Sequence, residues 1–194
     1  MFLDILFIIA LTFPVAAAST AFGSINNEQL TINNEQLTIN NEQCWGRNLM
    51  FALVLALGQG LMYYLGSLLG GTFMHLLTKL SKWIIFALCF SVAYRMLLNT
   101  LKIKKGENLY FIETKKQLLL LSIALGVNAF IVGLMYEFMP MFHYYTPCIM
   151  MIVAFVWAIV MMLIPFSKMK LTFNSLLNLI FAAVILVRGL LILV

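Results

Sequence analysis

Three side-chain amides, Gln59, Asn99 and Asn128, stand inside otherwise apolar runs of this sequence. An amide in hydrocarbon is costly to leave unpaired. Such residues turn toward a bundle interior, where they form an interhelical hydrogen bond or line a pathway. Thr12, Ser19 and Ser122 are hydroxyls in the same setting, and Pro14 falls in the same run as Thr12. Proline has no N–H and clashes with the carbonyl four residues earlier, here Ala10, so Pro14 is expected to kink or break its helix. Amide oxygens, together with carbonyls freed at a helix break, are the ligands with which transporters built on inverted repeats hold small cations and polar solutes. The plainer reading gives each amide an interhelical hydrogen bond and the proline a tolerated kink.

Other chemistries find little support. Asp4 lies at a terminus, Glu28, Glu35, Glu42, Glu107 and Glu113 fall in loops, and Glu137 lies near the end of an apolar run. Glu137 follows Asn128 by nine residues, about 13 Å along a helix, which puts it at a mouth rather than a centre. Met139, Met141 and His143 are residue types that suit a soft metal such as Cu(I). With 13 methionines in the chain, packing is the simpler use for that run. Cys44, Cys89 and Cys148 are far apart with no C-x-x-C spacing, so neither a disulfide framework nor a zinc site is expected. No nucleophile–base pair, H-E-x-x-H or phosphate-binding loop is present, so the chain is not expected to be an enzyme or to need a cofactor.

The elements that must position these residues follow from composition. Of 194 residues, 63% are hydrophobic and 10% charged, and the mean hydropathy is +1.02. No soluble core of this size hides that much apolar surface, so the lipid bilayer is the solvent. A spanning helix needs about 20 apolar residues. Six segments answer to that: 2–21, 48–70, 83–101, 118–139, 146–166 and 171–194. The net charge of +5 reads as a topology signal rather than a nucleic-acid surface. Arg47, Lys102, Lys104, Lys105, Lys115, Lys116, Lys168 and Lys170 occupy the odd loops, against Lys79 and Lys82 elsewhere. That bias places the odd loops in the cytoplasm and both termini outside. Arg95 and Arg188, near helix ends, are expected to snorkel to the headgroups. Residues 1–21 resemble a cleavable signal in their apolar core and small residues, but Asp4 and the lack of a basic start favour retention as helix 1.

Internal echoes organise the chain. Ile9-Ala10-Leu11 recurs at Ile123-Ala124-Leu125, which sets Asn128 opposite Pro14. Arg95-Met96-Leu97-Leu98 recurs as Arg188-Gly189-Leu190-Leu191. Ile9 and Arg95 are 86 positions apart, Ile123 and Arg188 are 65 apart, and the difference, 21, is three seven-residue units. Those units are the I-N-N-E-Q-L-T copies of 25–43, whose apolar spacing of 5 and 2 does not suit a coiled coil. Their polar, repetitive composition predicts a disordered loop. The expected fold is therefore all-α: a polytopic membrane protein of six transmembrane helices forming two inverted three-helix repeats. The first repeat covers 1–101, a cytoplasmic loop 102–117, and the second repeat 118–194. Gly66-x-x-x-Gly70 is a close-packing signal within this bundle and names no partner, and a homo-oligomer is compatible with it.

At these residues the chain resembles the manganese efflux pump family (MntP), small six-helix transporters related to the lysine exporter superfamily. The family's first helix carries a pattern like L-S-M-D-A-F-A, where this chain has Leu11-Thr12-Phe13-Pro14-Val15-Ala16-Ala17. Its fourth helix carries S-L-D-A-M-A-V-G, matched by Gly126-Val127-Asn128-Ala129-Phe130-Ile131-Val132-Gly133. A glutamate before a glycine-rich end corresponds to Gln59, and G-R-M-I-I-E to Tyr94-Arg95-Met96-Leu97-Leu98-Asn99. The resemblance covers helices 1–4 and implies a membrane transporter whose partners are the bilayer and Mn²⁺ or another small cation. The departures coincide with the chemistry, because Pro14, Gln59, Asn99 and Asn128 stand where the family has acids. Mn²⁺ favours carboxylate oxygen, and amides supply dipoles without compensating charge. A member without transport activity, acting as a membrane scaffold, and an exporter of an amino acid or neutral solute therefore stand beside the cation exporter.

Overall fold

The computed structural model describes residues 2–32, 41–77, 81–104, 115–135, 145–163 and 168–193. They form six helices: α1 (Phe2–Ile32), α2 (Asn41–Leu77), α3 (Ser81–Lys104), α4 (Lys115–Leu134), α5 (Thr146–Leu163) and α6 (Lys168–Leu193). Five contain stretches long and apolar enough to cross a membrane: Trp45–Thr72, Lys82–Leu101, Lys116–Leu134, Thr146–Leu163 and Thr172–Ile192. The apolar part of α1, Asp4–Thr20, is a shorter run. Helix is the form such segments take in lipid, because it satisfies every backbone N–H and C=O within the segment. Large apolar side chains cover the outside, among them Leu53, Leu57, Leu61 and Leu68 on α2 and Trp83, Phe90 and Tyr94 on α3. An exterior of that kind marks a polytopic membrane protein.

Two local expectations change. The seven-residue repeat was expected as a loop over 25–43, yet α1 continues to Ile32 and α2 begins at Asn41. Glu, Gln and Leu are sound helix formers, and extending an existing helix costs far less than nucleating a new one. Residues 33–40 lie outside the described residues. Pro14 is buried, and α1 runs through it without a break. Two residues earlier the Thr12 hydroxyl donates to the carbonyls of Ile8 and Ile9, at 3.0 and 3.2 Å.

The packing partners are specific. α2 lies on α4, α3 on α6, α5 on both α1 and α2, and α1 more lightly on α6. Glycines bring α2 and α4 together. A Cβ added at Gly133 would stand 3.0 Å from the Cα of Gly66 and would collide with the carbonyl of Tyr63, so these backbones touch. Gly58 meets Ser122, Gly66 meets Phe130, and Gly70 meets Leu134, so α2 and α4 run parallel. α6 runs antiparallel to α3, with Cys89 against Gly189 and Thr100 against Asn178. It is antiparallel to α1 as well, where Asp4 meets Arg188, Phe13 meets Phe181 at 4.9 Å between ring centres, and Thr20 meets Asn174. These directions are those of helices that cross a bilayer in succession.

Candidate functional site

Gln59 is fixed by its neighbours. Gly58 before it faces α4 through Ser122, and Gly60 after it faces α5 through Met151. At about 100° per residue, the side chain between them points into the bundle between α4 and α5. Gln59 is 1% exposed, and its Oε1 is buried without a hydrogen-bond donor. A buried acceptor of this kind costs about 1–3 kcal/mol when it is left unpaired, so the position suits a ligand that offers positive charge or a donor.

Ser122 lies at the same interface. Its hydroxyl donates to the carbonyl of Val54 on α2 at 2.9 Å, in space that Gly58 leaves open. Six residues further along α4, Asn128 is 2% exposed. Its Oδ1 accepts from Nη1 of Arg95 at 3.3 Å, while Nη2 of Arg95 donates to the carbonyl of Ala124 at 2.6 Å. Arg95 was expected at the headgroups, and it lies across α4 instead. α3 packs mainly on α6 and only lightly on α4, which leaves a gap that a long cationic side chain bridges.

The remaining expected residues are less available. Thr12 and Ser19 are buried, but their hydroxyls donate within α1, Ser19 to Val15 at 2.8 Å. Such back-bonding is the usual fate of hydroxyls in apolar helices and leaves only an acceptor lone pair for a ligand. Asn99 is half-buried near the end of α3, one turn beyond Arg95. Gln59 and Ser122 thus lie on the helices that meet at the α2–α4 interface, Asn128 faces Arg95 of α3, Pro14 lies in the buried part of α1, and Asn99 stands toward one end. Glu137 and the 139–143 run lie outside the described residues.

A second polar group was missed in the sequence. Asn178 on α6 donates from Nδ2 to the carbonyl of Met96 and to Oγ1 of Thr100, both at 3.0 Å. Its Oδ1 is buried without a donor. One turn earlier, Asn174 donates to Oγ1 of Thr20 at 3.0 Å. Two amides four residues apart therefore tie α6 to α3 and to α1. The i, i+4 spacing of Asn174 and Asn178 in F-N-S-L-L-N was the available signal. Among the described residues, no three His, Cys, Asp or Glu side chains come together. The ion pair of Arg188 with Asp4, at 3.3 Å, joins α6 to the start of α1.

A bundle of long apolar helices with amides directed inward is the architecture of a polytopic membrane protein with a polar interior. The model of the family described as "Putative manganese efflux pump" matches residues 42–193, and the chain belongs to that family. It is similar to the "Putative manganese efflux pump MntP" of Bacteroides thetaiotaomicron, with 29% identity over 100 residues, 52% of each protein. The chain thus spans about half the length of that curated relative in the match. No solved structure matches the chain.

Proposed function

We propose that this protein is an inner-membrane exporter of Mn²⁺ or a similar small cation. It works by alternating access around an oxygen-lined site formed by Gln59 and Asn128, with Ser122 and the α1 segment at Pro14 beside it. The observation that carries the reading is the donorless, fully buried Oε1 of Gln59, in a chain of the manganese efflux family. Hard cations take carbonyl and amide oxygen, and a ligand at Gln59 would satisfy an acceptor that the protein leaves open. Family acids are absent here, so the site offers weaker charge compensation, and affinity for a divalent ion is correspondingly low.

Helix packing supports the division into two repeats. Exchanging α1 with α4, α2 with α5 and α3 with α6 maps the α2·α4 pair onto α5·α1 and leaves the α3·α6 and α2·α5 pairs in place. Orientation draws support from Arg47 and Lys116, both exposed at the starts of the parallel helices α2 and α4 and hence at one end of the bundle. Lys82 lies at the other end. The positive-inside rule then puts the α2 and α4 starts in the cytoplasm and both termini outside.

A second reading, a family member without transport activity, is favoured by the engagement of Asn128 Oδ1 with Arg95. Growth of an exporter-deficient bacterial strain in excess Mn²⁺ separates the two. Rescue by the protein, lost on Gln59→Leu at equal expression, is the expected outcome for the exporter. No rescue and unchanged cellular Mn²⁺ with well-expressed protein favours the inactive member.

A further inference from the structure

We propose that Arg95 is a tethered cation that competes with the transported ion for α4, so that the guanidinium must leave Asn128 before a cation can occupy it. The inference rests on the reading of Asn128 as part of the path. Its basis is positional. The Asn128 Oδ1 that a metal would need already accepts a charge-assisted hydrogen bond from Nη1, and Nη2 holds the carbonyl one turn earlier at Ala124. Both acceptors are neutral oxygens, the kind a hard cation uses when it sheds water. Arginine and the ion are therefore alternatives at one place, and the protein supplies the first.

The surrounding packing makes the exchange feasible. Arg95 is only half-buried, and α3 makes few other contacts with α4. By contrast, α4 is fixed to α2 by touching glycine backbones, and α3 is fixed to α6 by Asn178. The clasp thus lies between two better-packed pairs, α2 with α4 and α3 with α6. Arg188, the echo of Arg95 on α6, reaches across to α1 but pairs with the carboxylate of Asp4. Pro14, which matches Asn128 in the first repeat, offers that arginine no side-chain oxygen. The competition is therefore confined to α4.

The test follows Arg95 itself as well as transport. Full-length protein is reconstituted into liposomes and treated with the arginine reagent phenylglyoxal. Labelling of Arg95 is timed by mass spectrometry across a Mn²⁺ series, and Mn²⁺ flux is measured in the same liposomes. The expected result is slow labelling without Mn²⁺, when Asn128 Oδ1 and the Ala124 carbonyl hold the guanidinium, and faster labelling as Mn²⁺ displaces it. Asn128→Leu, which removes one of the two acceptors, should label Arg95 at the fast rate at every Mn²⁺ concentration. Arg95→Gln should need about tenfold less Mn²⁺ for half-maximal flux, the effect of removing one charge-assisted competitor, and Arg95→Lys, which retains a cation, should not. Labelling that ignores Mn²⁺ while flux proceeds would overturn the role of Arg95 and leave the exporter reading standing. Labelling that responds to Mn²⁺ without any flux would support the role of Arg95 and overturn the exporter reading. Neither response would remove both.

Discussion

Arg95 on α3 and Asn128 on α4 meet through Nη1 and Oδ1 at 3.3 Å, which makes a buried amide the acceptor for a cation inside an apolar bundle. Hydrogen bonds to charged groups are worth more than neutral ones, and leaving either partner alone in a dry setting is expensive. Asn128→Leu is expected to lower unfolding stability by about 1–3 kcal/mol, read as a shift in thermal denaturation in detergent. Asn128→Asp should raise stability by turning the contact into an ion pair. An unchanged melting temperature for both variants would show that the contact carries no energy.

The glycines that join α2 and α4 provide a sharper stability test. Gly133→Ala places a methyl group against the Tyr63 carbonyl and the Gly66 Cα, where backbone rather than a flexible side chain stands in the way. The helices must separate, at a cost of about 1–3 kcal/mol. Gly46→Ala, where nothing lies within 4 Å, is the matched control and should be neutral. Equal effects from the two changes would contradict the touching-backbone interface.

Asn178 is expected to behave differently from Asn128. Its Nδ2 makes two hydrogen bonds, but its Oδ1 is an orphan acceptor in the core. Asn178→Leu loses the first and removes the second. Interhelical hydrogen bonds in membranes average only about 0.6 kcal/mol, so the net change in unfolding stability should stay within about 1 kcal/mol. A loss of several kcal/mol would show that water or another donor completes Oδ1 in the bilayer.

Topology has a direct check. Alkaline phosphatase fused after residue 194 should be active, because it is exported with an outside terminus, and the same enzyme fused within 102–117 should be inactive. Reversed activities would invert the orientation inferred from the basic residues.

The bundle was legible because composition leaves apolar segments one option in lipid, and segments such as 83–101 and 171–194 stand close to the observed helices α3 and α6. The close approach of α2 was legible at Gly66 and Gly70, since small residues four apart let helix backbones approach, but the spacing did not name α4 as the partner. The sequence could not show which face of α6 meets α3, so Asn174 and Asn178 passed as ordinary polar residues. Arg95 was misjudged for a related reason. Its place near a helix end suggested headgroups, whereas its actual partner depends on how far α3 stands from α4. Pro14 shows the limit of local rules, because α1 continues through it without a break. Gln59 was recognised as a buried amide, but its missing donor is a property of the packed structure alone.

The most direct measurement is Mn²⁺ entry into liposomes that contain the purified protein and a trapped metal-sensitive dye, compared with Gln59→Leu and Gln59→Glu. A saturable Mn²⁺ flux that is lost in Gln59→Leu and saturates at lower Mn²⁺ in Gln59→Glu is the expected result. Flux no greater than that of protein-free liposomes, for the native protein and for Gln59→Glu alike, would contradict a cation path through Gln59.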